Sequence, residues 1–113
     1  MIRIFHNPRC RKSRETLQLI EESGELVEIV EYLQTVPTEQ ELTEIIDLLG
    51  IKPEELLRKG EAIFKEQFKG KQLNDQEWIR VMVQNPKLIE RPIVIKGNQA
   101  VIGRPPENVK KLF

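Results

Sequence analysis

This chain of 113 residues has one cysteine and one histidine. A lone cysteine cannot close an internal disulfide, so any redox cycle has to borrow a second thiol from outside. With one Cys and one His, a zinc site would need an unusual number of carboxylates, and no ligand spacing supports one. No metal is therefore expected. An excess of charge of one sign is also missing. Lysine plus arginine number 18, and aspartate plus glutamate number 18, so nothing in net charge argues for nucleic acid or a membrane surface. No apolar run approaches the roughly 20 residues of a membrane span, and Met1–Phe5 is too short for the core of a signal peptide. Absent a signal, a reducing cytoplasm is the expected compartment. Glycine-rich nucleotide loops are absent, and the Cys-(x)5-Arg loop of tyrosine phosphatases fails because that position holds Thr16. Repeats, low-complexity stretches and flexible linkers are missing too. With 39% apolar and 32% charged residues, residues 1–113 read as one globular domain able to build its own core.

What the chain does have is concentrated at its start. The apolar run Ile2–Phe5 breaks into His6-Asn7-Pro8-Arg9-Cys10-Arg11-Lys12-Ser13-Arg14 and runs into an apparent helix. A thiol just before a helix faces unpaired backbone N–H groups and the positive end of the helix dipole. Both favour thiolate over thiol, and the flanking cations push the same way. Most free cysteines are small buried hydrophobes, but a cationic Asn-Pro turn is a poor place for one, so Cys10 reads as a reactive thiol. His6 is open to two readings: a functional one, lowering the thiol pKa as an imidazolium or orienting the Asn7-Pro8 turn, and a plain strand-end residue facing water. Ser13 completes a C-x-x-S spacing, and its hydroxyl could donate to the thiolate or cap the helix.

Along the chain, Ile2–Phe5 reads as a strand. Residues 11 to 23 read as a helix with Leu17 and Ile20 on one face, stopped by Gly24. Leu26–Tyr32, with Val27 and Ile29 against Glu28 and Glu31, reads as a second, parallel strand. Thr38 with Glu41, and Asn74 with Glu77, have capping-box spacing. Leu42, Ile45, Ile46 and Leu49 fall at i, i+3, i+4 and i+7. Residues 37 to 88 thus read as a helical insert. Beyond it, Pro92–Lys96 and Ala100–Ile102 flank Gly97-Asn98-Gln99, a hairpin signal, and a last helix carries Val109, Leu112 and Phe113. The outline is α/β: β-α-β, a helical insert, then β-β-α on a mixed sheet, the layout of the thioredoxin fold.

Three arginines, Arg58, Arg91 and Arg104, each lie where an apolar run meets a turn. Such a junction fixes the backbone while leaving a long side chain free to point inward. A guanidinium suits a tetrahedral oxyanion because its planar fork donates two parallel hydrogen bonds. For any one of them taken alone, a solvated surface charge is the simpler reading.

Together these segments resemble the glutaredoxin-linked arsenate reductase family. The resemblance rests on His6-Asn7-Pro8-x-Cys10, Ser13-Arg14-x-Thr16-Leu17, Leu56-Leu57-Arg58, Glu90-Arg91-Pro92-Ile93-Val94 and Gly103-Arg104-Pro105, and covers nearly the whole chain. It implies a thioredoxin-like fold with a helical insert and strengthens the case for a cis Arg91-Pro92 bond, a minority form at about 5–6% of X–Pro bonds. It further implies arsenate or a similar oxyanion as substrate, glutathione as co-substrate, glutaredoxin as partner, no bound cofactor, and a monomer. By the same resemblance Cys10 is the nucleophile and Arg58, Arg91 and Arg104 are catalytic. His6, Asn7, Ser13 and Arg14 fall in the motif and are placed with substrate binding. Bulky Arg11 and Lys12 after the cysteine, and an end at Phe113, look like a short arsenate-reductase-like branch. Two alternatives stand beside this reading: a glutathione-dependent thiol oxidoreductase with another substrate, and a non-catalytic Spx-like regulator that binds RNA polymerase. Ser13 in place of a second cysteine, and the His-Asn-Pro lead-in, count against the latter.

Overall fold

A computed structural model describes residues 1–113, which divide into two compact units. The first unites Met1–Thr35 with Arg91–Phe113 and the second is Val36–Glu90, taking in the stretch read as an insert.

The first unit is built on four short strands: β1 (Ile2–Phe5), β2 (Val27–Val30), β3 (Ile93–Lys96) and β4 (Gln99–Ile102). Their order in the sheet is β2-β1-β3-β4. β1 runs parallel to β2, with Ile4 opposite Ile29, and antiparallel to β3, with Ile4 opposite Val94. β3 and β4 form the antiparallel hairpin, turning through Gly97 at φ +60°, a conformation open to glycine at little steric cost. Helix α1 (Arg11–Glu22) connects β1 to β2. Its Ile20 meets Ile2, Ile4 and Val94 of the sheet and Val109 and Leu112 of the C-terminal segment, all buried. Full burial of each such side chain contributes roughly 1.5–3 kcal/mol, so this cluster anchors both ends of the chain on one sheet face.

Two details differ from the sequence pattern. The alternation read into Leu26–Tyr32 does not partition cleanly: Ile29 is 47% exposed although it faces the same way as Val27, because β2 is an edge strand. The final segment is a 3-10 helix, Pro106–Leu112, with Val109 and Leu112 buried and Phe113 outside it and exposed.

The second unit contains α2 (Glu39–Leu49), α3 (Ala62–Gln67) and α4 (Asp75–Gln84), with short 3-10 turns at Pro53–Leu56 and Pro86–Leu88. Both predicted capping boxes form: Thr38 Oγ1 accepts from the Glu41 N–H, and Asn74 Oδ1 from the Glu77 N–H. Gly50 ends α2 at φ +69°. Leu42, Ile45 and Ile46 of α2 and Trp78, Ile79 and Met82 of α4 are among its buried apolar residues, with Phe64 of α3 and Leu56 and Leu88 of the 3-10 turns. No helix of the protein is long and apolar enough to cross a membrane.

Candidate active site

The loop after β1 is shaped by Asn7. Its carbonyl accepts the Cys10 N–H at 3.0 Å, its Oδ1 accepts the Arg9 N–H at 3.0 Å, and its own N–H donates to Ser13 Oγ at 3.0 Å. Arg14 braces the loop from outside, donating through Nη1 to the Pro8 carbonyl at 3.0 Å. This delivers Cys10 to the N-cap of α1 with extended backbone angles. Helices α2 and α4 begin with capping boxes and acidic first turns, whereas α1 has neither a side-chain cap nor an acidic residue in its first turn. Its N-terminal N–H groups are thus left for the cysteine sulfur and for an anion brought to it.

The sulfur uses one of them. Burial, with Cys10 only 8% exposed, is the largest influence on the thiol and opposes ionisation. A hydrogen bond from Arg91, another from the Ser13 backbone N–H, and the charges of Arg91 and Arg104 outweigh it, so the thiol pKa lies below its ordinary value. Arg104 Nη2 lies 3.4 Å from Cys10 Sγ, while its Nε donates to the Arg91 carbonyl at 2.8 Å. One guanidinium thereby ties the β3 lead-in to the sulfur. Both segments enter through X–Pro bonds in the cis form, Arg91-Pro92 and Arg104-Pro105.

His6 and Ser13 behave differently from what their spacing suggested. Burial, its largest influence, lowers the His6 pKa; Glu31 opposes this, Arg14 reinforces it and Glu21 opposes it. A neutral imidazole is the result, not an imidazolium. Its Nδ1 lies within hydrogen-bond distance of Ser13 Oγ, at 2.6 Å, and the same hydroxyl oxygen accepts from the Asn7 N–H. Ser13 is fully buried. Its contribution to the sulfur comes from its backbone, and its side chain neither caps α1 nor meets the thiol. A cavity of about 260 Å³ flanks the loop, lined by His6, Asn7, Pro8 and Arg9 with Glu31 and Gln34.

Arg58 belongs to the second unit. There Leu56–Arg58 pairs with Leu88–Glu90 through backbone bonds, Arg58 N–H to the Leu88 carbonyl at 2.8 Å and Glu90 N–H to the Leu56 carbonyl at 2.9 Å. That pairing sets two carboxylates on the guanidinium: Glu90 Oε1 at 2.6 Å from Nη1 and Glu61 Oε1 at 3.3 Å from Nε.

Two contributors carried no role in the sequence reading, Thr16 and Gly103. Thr16, fully buried on α1, donates through Oγ1 to the Lys12 carbonyl at 2.8 Å and approaches the Gly103 carbonyl at 3.3 Å. The Gly103 N–H donates to the Pro92 carbonyl at 2.9 Å. A Cβ on Gly103 would lie 2.6 Å from Thr16 Oγ1 and 2.8 Å from Pro92 Cγ, so only glycine lets the Arg104 segment lie this close to the helix bearing Cys10. The one available signal was a glycine directly before Arg104-Pro105.

The same chain can be set beside known proteins. A family model described as the ArsC family matches residues 5–112. An arsenate reductase of Neisseria meningitidis is 40% identical, the match covering 99% of this chain and 97% of that one. An uncharacterized Escherichia coli protein, YfgD, is 44% identical over 98% of this chain and 95% of its own. Among solved structures, an arsenate reductase from Vibrio cholerae superposes with a TM-score of 0.95 at 42% identity, covering 99% of this chain and 97% of its own. The thioredoxin-like α/β class expected from the sequence is the fold observed. Sheet order, cysteine loop and full-length similarity converge: the chain belongs to the ArsC family of arsenate-reductase-like proteins.

Proposed function

We propose that this protein reduces arsenate to arsenite in the cytoplasm, with glutathione and glutaredoxin supplying the electrons. The observation that carries the reading is the Cys10 sulfur, held at an otherwise uncapped helix N-terminus with Arg104 Nη2 at 3.4 Å and a hydrogen bond from Arg91. The thiolate attacks arsenic and one arsenate oxygen leaves as water, giving a thiol–arsenate adduct. Arg91, Arg104 and the first-turn N–H groups offset the negative charge on the remaining oxygens. Glutathione then displaces the adduct. The sulfurs of Cys10 and glutathione join as a mixed disulfide, and their two electrons pass to arsenic, converting As(V) to As(III). Glutaredoxin reduces that disulfide by thiol exchange, an external step that a chain with one cysteine requires. The family resemblance also assigns Arg58 a part in the reaction, while within its own unit that guanidinium is held by Glu61 and Glu90.

The experiment is a glutathione- and glutaredoxin-dependent arsenate assay of wild type beside Cys10→Ser. Turnover is expected to vanish in the variant, and activity surviving there eliminates the mechanism. The same activated thiolate suits exchange on a glutathione mixed disulfide, and the relative YfgD carries no activity in its name. Turnover of such a disulfide with none of arsenate would select that second reading.

A further inference from the structure

The helical unit holds a cationic cavity that the proposed reaction does not use. Its volume is about 460 Å³, within the roughly 300–1,000 Å³ range of small-molecule sites. Phe64 and Trp78 form its apolar wall, both buried and stacked with ring centroids 6.1 Å apart. Around that wall stand Lys59, Lys65, Lys69 and Lys71, against a single carboxylate, Glu54. Glu54 is taken by Lys59 at 2.8 Å. The other three lysines form no ion pair, and the Lys71 ammonium lies 5.6 Å from the centroid of Phe68. In a chain of zero net charge, this is a concentrated local excess.

The cavity rim is a built turn. Gly70 adopts φ +82°, and the N–H groups of Phe68 and Lys69 both donate to the Phe64 carbonyl, at 2.8 and 2.9 Å. The Lys71 N–H donates to the Phe68 carbonyl at 3.0 Å. Lys69 and Lys71 are thereby fixed on the two sides of a chain reversal. In the wall itself, the Trp78 Nε1–H is buried and meets no acceptor, an exception to the pairing that buried donors ordinarily find.

We propose that this cavity binds a small organic anion with clustered negative charge on a planar ring body, the chemistry of a nucleoside diphosphate. The lysines hold the charged end as point charges, and the aromatic wall covers the ring. Every residue involved lies in Val36–Glu90. None is Cys10, Arg91 or Arg104, so this site stands or falls independently of the thiol chemistry.

Trp78 is the only tryptophan, which makes its fluorescence a local reporter. Titration of the full chain with ADP is expected to give a saturable change in Trp78 emission. Adenosine, without phosphates, and inorganic pyrophosphate, without a ring, are each expected to bind at least about tenfold more weakly. Combining Lys69→Gln with Lys71→Gln should weaken ADP about tenfold and leave alkylation of Cys10 at the wild-type rate, while arginine at both positions retains binding. A flat ADP titration, equal binding by the glutamine variant, or pyrophosphate binding as tightly as ADP overturns the proposal.

Discussion

Gly103→Ala isolates the contact that sets the Arg104 segment against helix α1. Gly103 is not among the glycines with positive φ, so alanine brings no backbone strain of that kind, and the added methyl alone is tested. It would sit 2.6 Å from Thr16 Oγ1, 2.8 Å from Pro92 Cγ and 2.9 Å from Thr16 Cγ2. Ordinary contact begins near 3.4 Å, so the neighbours must retreat by several tenths of an ångström. Thr16 has little room to do so: it is fully buried and tied by Oγ1 to the Lys12 carbonyl. Overpacking of this kind costs about 1–3 kcal/mol, and the rigid partners place Gly103→Ala in the upper half of that range. Urea unfolding measures the loss, and iodoacetamide rate against pH measures the thiol. Because Arg104 follows directly in the chain, the thiol midpoint should rise in the same variant. Thr16→Ala removes both Thr16 atoms that crowd the new methyl. The double variant should therefore be more stable than the sum of the single effects implies, by about 1 kcal/mol or more. Strict additivity, or a Gly103→Ala protein within about 0.5 kcal/mol of wild type, refutes the contact as the determinant.

Three further expectations follow from the site. The wild-type alkylation midpoint should lie below the free-cysteine value of about 8.5, and Arg91→Ala and Arg104→Ala should each raise it, since each removes a group that favours the thiolate; midpoints unchanged in both would remove the arginines from thiol activation. The native His6 pKa is depressed, so between the unfolded value of about 6.5 and the lower native one the unfolded chain binds a proton that the native state does not. Stability is therefore lost as pH falls through that window, and urea unfolding of His6→Asn should show a shallower acid decline; parallel curves would disprove the linkage. Arg58→Ala removes the cation that Glu61 and Glu90 both contact, so it should lower stability, and where the guanidinium serves the reaction it should also lower arsenate turnover and weaken competition by added phosphate or sulfate. An Arg58→Ala protein with unaltered turnover and inhibition would confine that arginine to holding the insert together.

Much of this protein was legible from local signals. The capping boxes at Thr38 and Asn74 and the Gly97 turn depend on residues within a few positions of each other, so chemistry and conformation coincide in the sequence. The placement of Cys10 before a helix is local in the same sense. Edge strand β2 was less legible, because burial of Ile29 depends on what covers that end of the sheet and not on its own alternation.

The sequence by itself determined that the chain carries one thiol at a helix start, no second thiol to resolve it, and a helical stretch between two sets of strands. It also carried the motifs that point to the family. Tertiary structure alone decided which groups meet the sulfur. Arg104 lies ninety-four positions from Cys10 yet 3.4 Å from it in space, an approach that depends on a missing side chain at Gly103 against Thr16. It also turned Ser13 away from the thiol, because the hydroxyl is held between the buried His6 ring, 2.6 Å away, and the Asn7 N–H. Short-range geometry is written in neighbouring residues, whereas charge compensation depends on long-range packing that no local pattern encodes.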